Sequence, residues 1–466
     1  MFHARLRLLP SLGGVFSLAF ALLALVLPMA CGGQSHAPLA TISSFKAAPA
    51  IITPGQGTVL TFTFSGGTAS LDHGIGAVTS GQAINVTPAS DTTYTLTAIN
   101  ADGTATTSSV TISVKSFTGR FVYVANSGGG ITGFALNDAT GVLQELGNSP
   151  WDETVMALQV TSDLSGKFVF AVNGDGETLL NTVTVYRVNA ANGDLTRVGA
   201  YATGLDPWDA AVDPTGSYLY VRCDGAISGY AINATTGALT PLAPATVATS
   251  TGIGGLTIHP SGQYLFTVGR TSNSLQVFNL NPLSGALTAN GSAYSLPAGT
   301  GPMEVALGNT GEFLFTKSEG PSGATSQACV VYGYRLNVGT GALTALAPFD
   351  TGLFSSDVFH GVFANPARPV LYLPLYNSDN DYTALAFNAA AGTFTPIPAT
   401  TYTLFGGSGC DHLVVSRSGK WGFLVDYDGG KVAVGAVDTA TGAIGTPSFY
   451  GVGNFPVSIT VVGTVQ

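Results

Sequence analysis

Among the six histidines of this chain, two occupy one recurring place. His360 and His412 each open a short apolar segment, in "HGVF" and "HLVV", and Glu304 opens another in "EVAL". A carboxylate beside two imidazoles is equipment for general acid–base chemistry. One group takes a proton from water and another gives one to a leaving oxygen, an effect worth roughly 10²–10⁴-fold in rate. Asp209 opens a fourth such segment, in "DAAV". Arg222, Arg270 and Lys317 lie at the ends of neighbouring apolar segments. There they would bind substrate by holding a carbonyl oxygen or a carboxylate. Glu with two His also suits a divalent ion. No metal-site spacing accompanies them, so neither metal nor cofactor is expected.

These residues recur because the chain repeats. "NATTGALTPL" at Asn233 has counterparts beginning at Asn137, Asn189, Asn281, Asn337, Asn388 and Asp438. Their glycines, Gly141, Gly193, Gly237, Gly285, Gly341, Gly392 and Gly442, follow one another about every 50 residues, a period that means a repeat architecture. The unit around Asp209 reads as four strands. Strand A is Asp209–Val212 and strand B is Tyr218–Arg222. Strand C is Ile227–Ile232, and the "NATTG" turn leads to strand D. Four short strands, seven times, predict a seven-bladed β-propeller over 119–466. The glycine of the C–D turn is read as scaffold, there for a positive φ. The chain enters with a B strand, "RFVYVAN", and ends with an A-type strand, "SITVVG" at Ser458–Gly463. Those two would complete one blade and close the ring.

Aligned on the A strands, the opening residues are Ala157, Asp209, Gly255, Glu304, His360, His412 and Ser458. Inner strands line the channel of a propeller, so this column predicts a polar mouth with Glu304, His360 and His412 side by side. Arg222, Arg270 and Lys317 approach the same mouth. The longest B–C connections, "SEGPSGATSQA" and "YNSDNDY", flank it. Trp151 and Trp208, in matching "PWD" phrases, would stand there too and offer faces for sugar rings or packing between blades. His259, in "IHPSGQY", falls on the opposite face as a turn residue.

The N-terminus has another logic. Arg5 and Arg7 precede an apolar run, and "LPMACGG" follows. This is the layout of an exported precursor, with a signal peptide over 1–30. Ala30-Cys31-Gly32 is similar to a bacterial lipoprotein cleavage site, which implies lipidation of Cys31 and anchoring to the cell envelope; an ordinary signal peptide is the alternative. Residues 31–40 form a tether. Residues 41–115 read as short strands with turns, including a hairpin at "NADG" (Asn100–Gly103). They resemble the immunoglobulin-like modules of exported bacterial proteins, with Tyr94 as a structural tyrosine. The fold class is therefore all-β, an immunoglobulin-like β-sandwich followed by the propeller. With 9% charged residues, a net charge of −10 and no basic run, nucleic acid is excluded as a partner. The acidity also disfavours phosphorylated ligands. Cys223, Cys329 and Cys410, an odd set without C-x-x-C spacing, read as buried thiols. A monomer is expected.

"GRFVYVAN", "DPTGSYLYV", "HPSGQYLFTV" and "TGALT" resemble the seven-bladed lactonase family, which includes 6-phosphogluconolactonase and fungal muconate-lactonizing enzymes and shades into surface-layer propellers. The resemblance implies a lactonase-like hydrolase acting outside the cytoplasm on a lactone or related carbohydrate. Members are described as using His, Glu and Arg near the channel mouth, which matches these residue types by column. In that reading Glu304 or a His activates water, the other His protonates the alkoxide, and Arg270 or Lys317 holds the oxyanion. The alternative is a non-catalytic envelope-binding or adhesion propeller with the sandwich as its spacer.

Overall fold

The computed structural model describes residues 37–174, 181–319, 328–354, 361–375, 382–397 and 409–466. His360, Cys31 and the signal-peptide region lie outside them, as does most of both long B–C connections. Among the described residues there is no helix. Nine sheets account for the strands.

Two of these sheets face each other near the N-terminus. Thr41–Ala48, Thr58–Ser65 and Ala83–Val86 form one. Ile51–Ile52, Ala105–Val114, Thr92–Ile99, Thr68–Leu71 and Gly76–Val78 form the other. Alternation in "TTYTLTAI" buries Tyr94, Leu96 and Ala98 against Leu60 and Phe62 of the first sheet. The period-2 pattern thus fills one shared core. The "NADG" turn works through Asn100, whose Oδ1 accepts from the Asp102 and Thr104 N–H groups.

Seven further sheets, each with four strands in the order A-B-C-D and two of them with a fifth short strand beside C, make the blades. Blade 1 takes its A strand, Pro456–Val465, from the C-terminus. Its B, C and D strands are Phe117–Asn126, Ile131–Leu136 and Leu143–Glu145. Antiparallel pairing sets Ser458 opposite Ala125 and Val462 opposite Phe121. Blade 2 begins at Ala157 and blade 3 at Asp209. Blade 3 comprises A Asp209–Val212, B Tyr218–Cys223, C Ala226–Ile232 and D Leu239–Ala248. The A strands of blades 4, 5, 6 and 7 are Leu256–Ile258, Ala306–Leu307, Phe363–Ala364 and Cys410–Val415.

The repeated turn does more than reverse the chain. Gly193 and Gly285 have φ of 80° and 70°, a conformation costly for any residue with a Cβ. Asn or Asp at the start closes an Asx turn, as when Asn233 Oδ1 accepts from the Thr235 N–H. Each turn then seats against the preceding blade. Tyr123, Tyr220 and Tyr372 donate their hydroxyls to the carbonyls of Gly193, Gly285 and Gly442. A Cβ on Gly285 would stand 2.4 Å from the Tyr218 ring, and one on Gly141 would meet Trp421 at 2.4 Å across the closure of the ring. The turn is an inter-blade latch.

The sandwich packs on the A–B turn face. Gly57 N–H donates to Asn309, whose Nδ2 donates to Gly55, and Val59 joins the core of blades 4 and 5. His259 sits on this face too, buried, with its ring nitrogens 2.7 Å from Ser261 Oγ and 3.1 Å from the Gly311 carbonyl. Burial lowers its pKa to about 4. It ties blade 4 to blade 5 as a neutral ring.

Candidate active site

The A strands stand at the centre of the ring because each begins a sheet whose other strands step outward. Their first residues lie on the face made by the D–A and B–C connections. At that mouth Asp209 and Glu304, from blades 3 and 5, converge on blade 4. Asp209 Oδ2 accepts the Leu256 N–H at 2.8 Å and its Oδ1 accepts from Ala210 at 2.7 Å. The Glu304 side chain lies across the neighbouring residue. A Cβ on Gly255 would be 2.0 Å from Glu304 Oε2, and one on Gly361 would be 2.5 Å from its Cγ. The two carboxyls therefore flank the Gly255–Leu256 peptide, in space that two glycines leave open.

Both acids hold their protons unusually well. Burial raises the Asp209 pKa from 3.8 to about 6, against two backbone donors that lower it. Glu304 is pushed well above the ordinary carboxylate range. Burial is the main cause, then the charges of Asp209 and Glu319, with Lys317 opposing. The order of ionisation follows. Asp209, solvated by two N–H groups, loses its proton first while Glu304 is still neutral. Glu304 then titrates against the charge already there. The pair therefore holds its last proton on Glu304, more tightly than an ordinary carboxylate does.

Two of the three cations are committed within the protein. Arg222, 0% exposed, donates through Nε to Thr267 and through its terminal nitrogens to the carbonyls of Cys223, Ala226, Ser250, Gly252 and Val268. Desolvation lowers its pKa to about 10. It is a strut between blades 3 and 4, with its donors given to the protein itself. Lys317, 1% exposed, pairs with Glu319 at 3.1 Å. Arg270 follows the B strand of blade 4, half-buried, with its Nε unpaired.

Of the histidine column, His360 lies outside the described residues; the next residue, Gly361, is set against Glu304. His412 packs edge-on against Phe363 with ring centroids 4.6 Å apart, and Phe363 Cζ is 3.4 Å from the Cβ position of Gly361. Phe363 thus touches His412 on one side and approaches Gly361, the glycine beside Glu304, on the other. Bulges explain part of the shift: the register slips between Ala157 and Gln159 and between Cys410 and His412, which an apolar count along the chain misses. Trp151 packs against Tyr123 at 6.2 Å and lies over Gly133 in the blade 1–2 core. It is packing and not a sugar face. Cys223, Cys329 and Cys410 are buried free thiols. Among the described residues no cluster of His, Cys, Asp and Glu is arranged to hold a metal.

Comparison with known proteins agrees with the architecture. The seven-bladed β-propeller lactonase family matches residues 150–253. No curated protein matches the sequence. Among solved structures, a candidate 6-phosphogluconolactonase of Bacteroides fragilis superposes with a TM-score of 0.62 at 19% identity, covering 74% of this chain and 98% of its own. The periplasmic gluconolactonase of Pseudomonas aeruginosa gives a TM-score of 0.61 at 19% identity, over 74% and 99%. A candidate 6-phosphogluconolactonase of Bacteroides uniformis gives 0.60 at 18%, over 74% and 99%. At this identity the likeness is one of fold. The class is an all-β, seven-bladed β-propeller.

Proposed function

We propose that this protein is an exported, lipid-anchored, lactonase-like hydrolase that opens a cyclic ester at the channel mouth. The observation that carries the reading is the placement of the Asp209 and Glu304 carboxyls on either side of the Gly255–Leu256 peptide at the mouth, with Glu304 holding its proton the more tightly. Asp209, ionised, takes a proton from the attacking water. Glu304, still protonated, gives its proton to the ring oxygen as the C–O bond breaks. Lactone and water become a hydroxy acid, which leaves Asp209 protonated and Glu304 ionised, and the proton passes from Asp209 to Glu304 through solvent to restore the pair. This reverses the part given to Glu304 by its sequence neighbours, because burial and Asp209 keep it an acid. The family match over 150–253 supports the substrate class, and "LPMACGG" supports export with Cys31 as the lipidated residue.

The test is a panel of five- and six-membered lactones assayed by acid release, with parent and Glu304→Gln side by side. The variant should keep its melting temperature and lose roughly 10²–10⁴-fold in kcat. A parent that opens no lactone, or a Glu304→Gln that works as well as the parent, would leave a binding propeller as the better reading. Mass spectrometry of the mature N-terminus checks the anchor. Any start other than a modified Cys31 removes it.

A further inference from the structure

The sandwich meets the propeller through a fixed joint. Residues 53–57 lie against the A–B turns of blades 5, 6 and 7. The Gly57 N–H donates to the Asn309 carbonyl at 3.2 Å, and Asn309 Nδ2 donates to the Gly55 carbonyl at 2.8 Å, both in blade 5. Thr53 Oγ1 donates to the Arg417 carbonyl of blade 7 at 3.5 Å. A Cβ on Gly57 would overlap the Thr310 carbonyl, and one on Gly55 would overlap the Ala367 carbonyl of blade 6. Backbone lies on backbone there, an approach that glycine allows. Ala83 lies beside Gly339 in the C–D turn of blade 5, so the sandwich also leans on that blade. The link between Ala105–Val114 and Phe117–Asn126 is two residues, and both are held. The Lys115 N–H donates to the Ile52 carbonyl at 2.9 Å, and Ser116 and Gln466 exchange backbone bonds of 3.1 and 2.9 Å.

The N-terminal segment is fixed at the other end of the sandwich. Asn100 Nδ2 donates to the carbonyls of Ala37 and Pro38 at 3.0 and 3.2 Å, and the Ala37 N–H donates to Asp102. From that turn Ala105–Val114 runs ten residues to the joint, about 30 Å of strand. The first sheet has the same polarity: Thr41 pairs with Ser65 at the tether end, and Ala48 with Val59 at the joint. In the propeller the A strands run from the mouth to the A–B turns. The six residues Cys410–Val415 put the mouth roughly 20 Å beyond the joint. Cys31 is six residues from Ala37, and six residues reach at most about 20 Å. Were the mouth turned onto the surface that holds Cys31, Ala37 would stand on the order of 40–50 Å above it. The tether is too short for that orientation.

We propose that the sandwich is a rigid stand that turns the mouth away from the membrane holding the N-terminus, so that the Asp209–Glu304 site is served by water-soluble ligands and not by lipids. The membrane in that statement rests on the reading of Cys31 as lipidated, and the fixed orientation does not. The test uses the mature chain with residues 31–36 replaced by six histidines, which keeps the reach of the tether. It is bound to vesicles of phosphatidylcholine and a nickel-chelating lipid that carry an acceptor dye on their headgroups. A donor dye goes on one engineered cysteine: Ala101→Cys at the tether end, Leu283→Cys in the C–D turn of blade 4, or Leu205→Cys at the mouth. Leu283 and Leu205 are 91% and 66% exposed, and the cysteines that remain are buried. Energy transfer should fall in the order Ala101, Leu283, Leu205, with Leu205 at least about 3-fold below Ala101 because strand lengths separate them. Iodide in solution should quench the Leu205 dye equally on and off the vesicle. Gly57→Ala should open the joint, raise transfer from Leu205 and speed hydrogen exchange at Lys115 and Ser116. Equal transfer from Leu205 and Ala101, protection of the Leu205 dye from iodide on the vesicle, or a folded Gly57→Ala that behaves as the parent each overturns the proposal. Should Gly57→Ala fail to fold, the order of transfer in the parent decides. A mature N-terminus without lipid on Cys31 would remove the membrane and leave the orientation, which the tagged chain reads either way.

Discussion

Asp209 keeps its carboxyl where charge is disfavoured, and that cost should appear as a pH dependence of stability. Its pKa rises from 3.8 to about 6 on folding. A shift of about 2 units, at about 1.4 kcal/mol each, means that ionised Asp209 costs the native state about 3 kcal/mol. Between about pH 4 and about pH 6 the native protein holds this proton and the unfolded chain has lost it. The contribution is therefore fully present below pH 4 and falls as pH rises through that window, by up to about 1.4 kcal/mol per pH unit. Asp209→Asn removes the titration. It also removes one acceptor, since an amide NH₂ cannot serve both the Leu256 and Ala210 N–H groups, but that loss is the same at every pH. The variant-minus-parent difference in unfolding free energy should thus shift in the variant's favour by about 3 kcal/mol between pH 4 and pH 7. Urea unfolding at half-unit steps measures it, and ¹³C NMR of the labelled Asp209 carboxyl gives the midpoint directly. A flat difference, or a carboxyl that titrates near 4, would refute the claim that this acid is buried against its charge.

Gly255→Ala should push the Glu304 carboxyl away from Asp209, because the new Cβ would overlap Oε2. Lactone turnover should drop at least 10-fold while circular dichroism stays that of the parent; unchanged turnover would show that the placement of the pair is irrelevant. Deleting residues 456–466 removes the A strand of blade 1 and bares the edge of Phe117–Asn126. Hydrogen exchange should accelerate in blades 1 and 7, and a truncated protein that melts like the parent would show that this strand is not the clasp. Arg222→Met strands the carbonyls that the guanidinium now satisfies, a loss on the order of 3 kcal/mol. An unshifted urea midpoint would return Arg222 to the list of substrate contacts.

The repeat, the strand order within a unit and the closing strand were legible in the chain because each depends on local rules. An Asx turn and a left-handed glycine act over a few residues, and a strand buried on both faces shows as an apolar run. Blade 3 follows its expected bounds closely, with B ending at Cys223 and C starting at Ala226. That Asp209 and Glu304 occupy equivalent places was legible too. That they meet was not: it required the ring to bring blades 3 and 5 over the glycine that blade 4 supplies at the same place. Gly255 in that column was the available signal, since a gap between two acids lets one reach toward the other. The separation of Arg222 from the site was hidden for a similar reason. Five of its partners are backbone carbonyls, three of them in the connection to blade 4 or in that blade, and a carbonyl has no signature in sequence. His412 met Phe363 because a bulge moved the register. Local chemistry wrote the blades; the juxtaposition of non-neighbouring blades, set by ring closure and by where glycine leaves room, decided which side chains could act together.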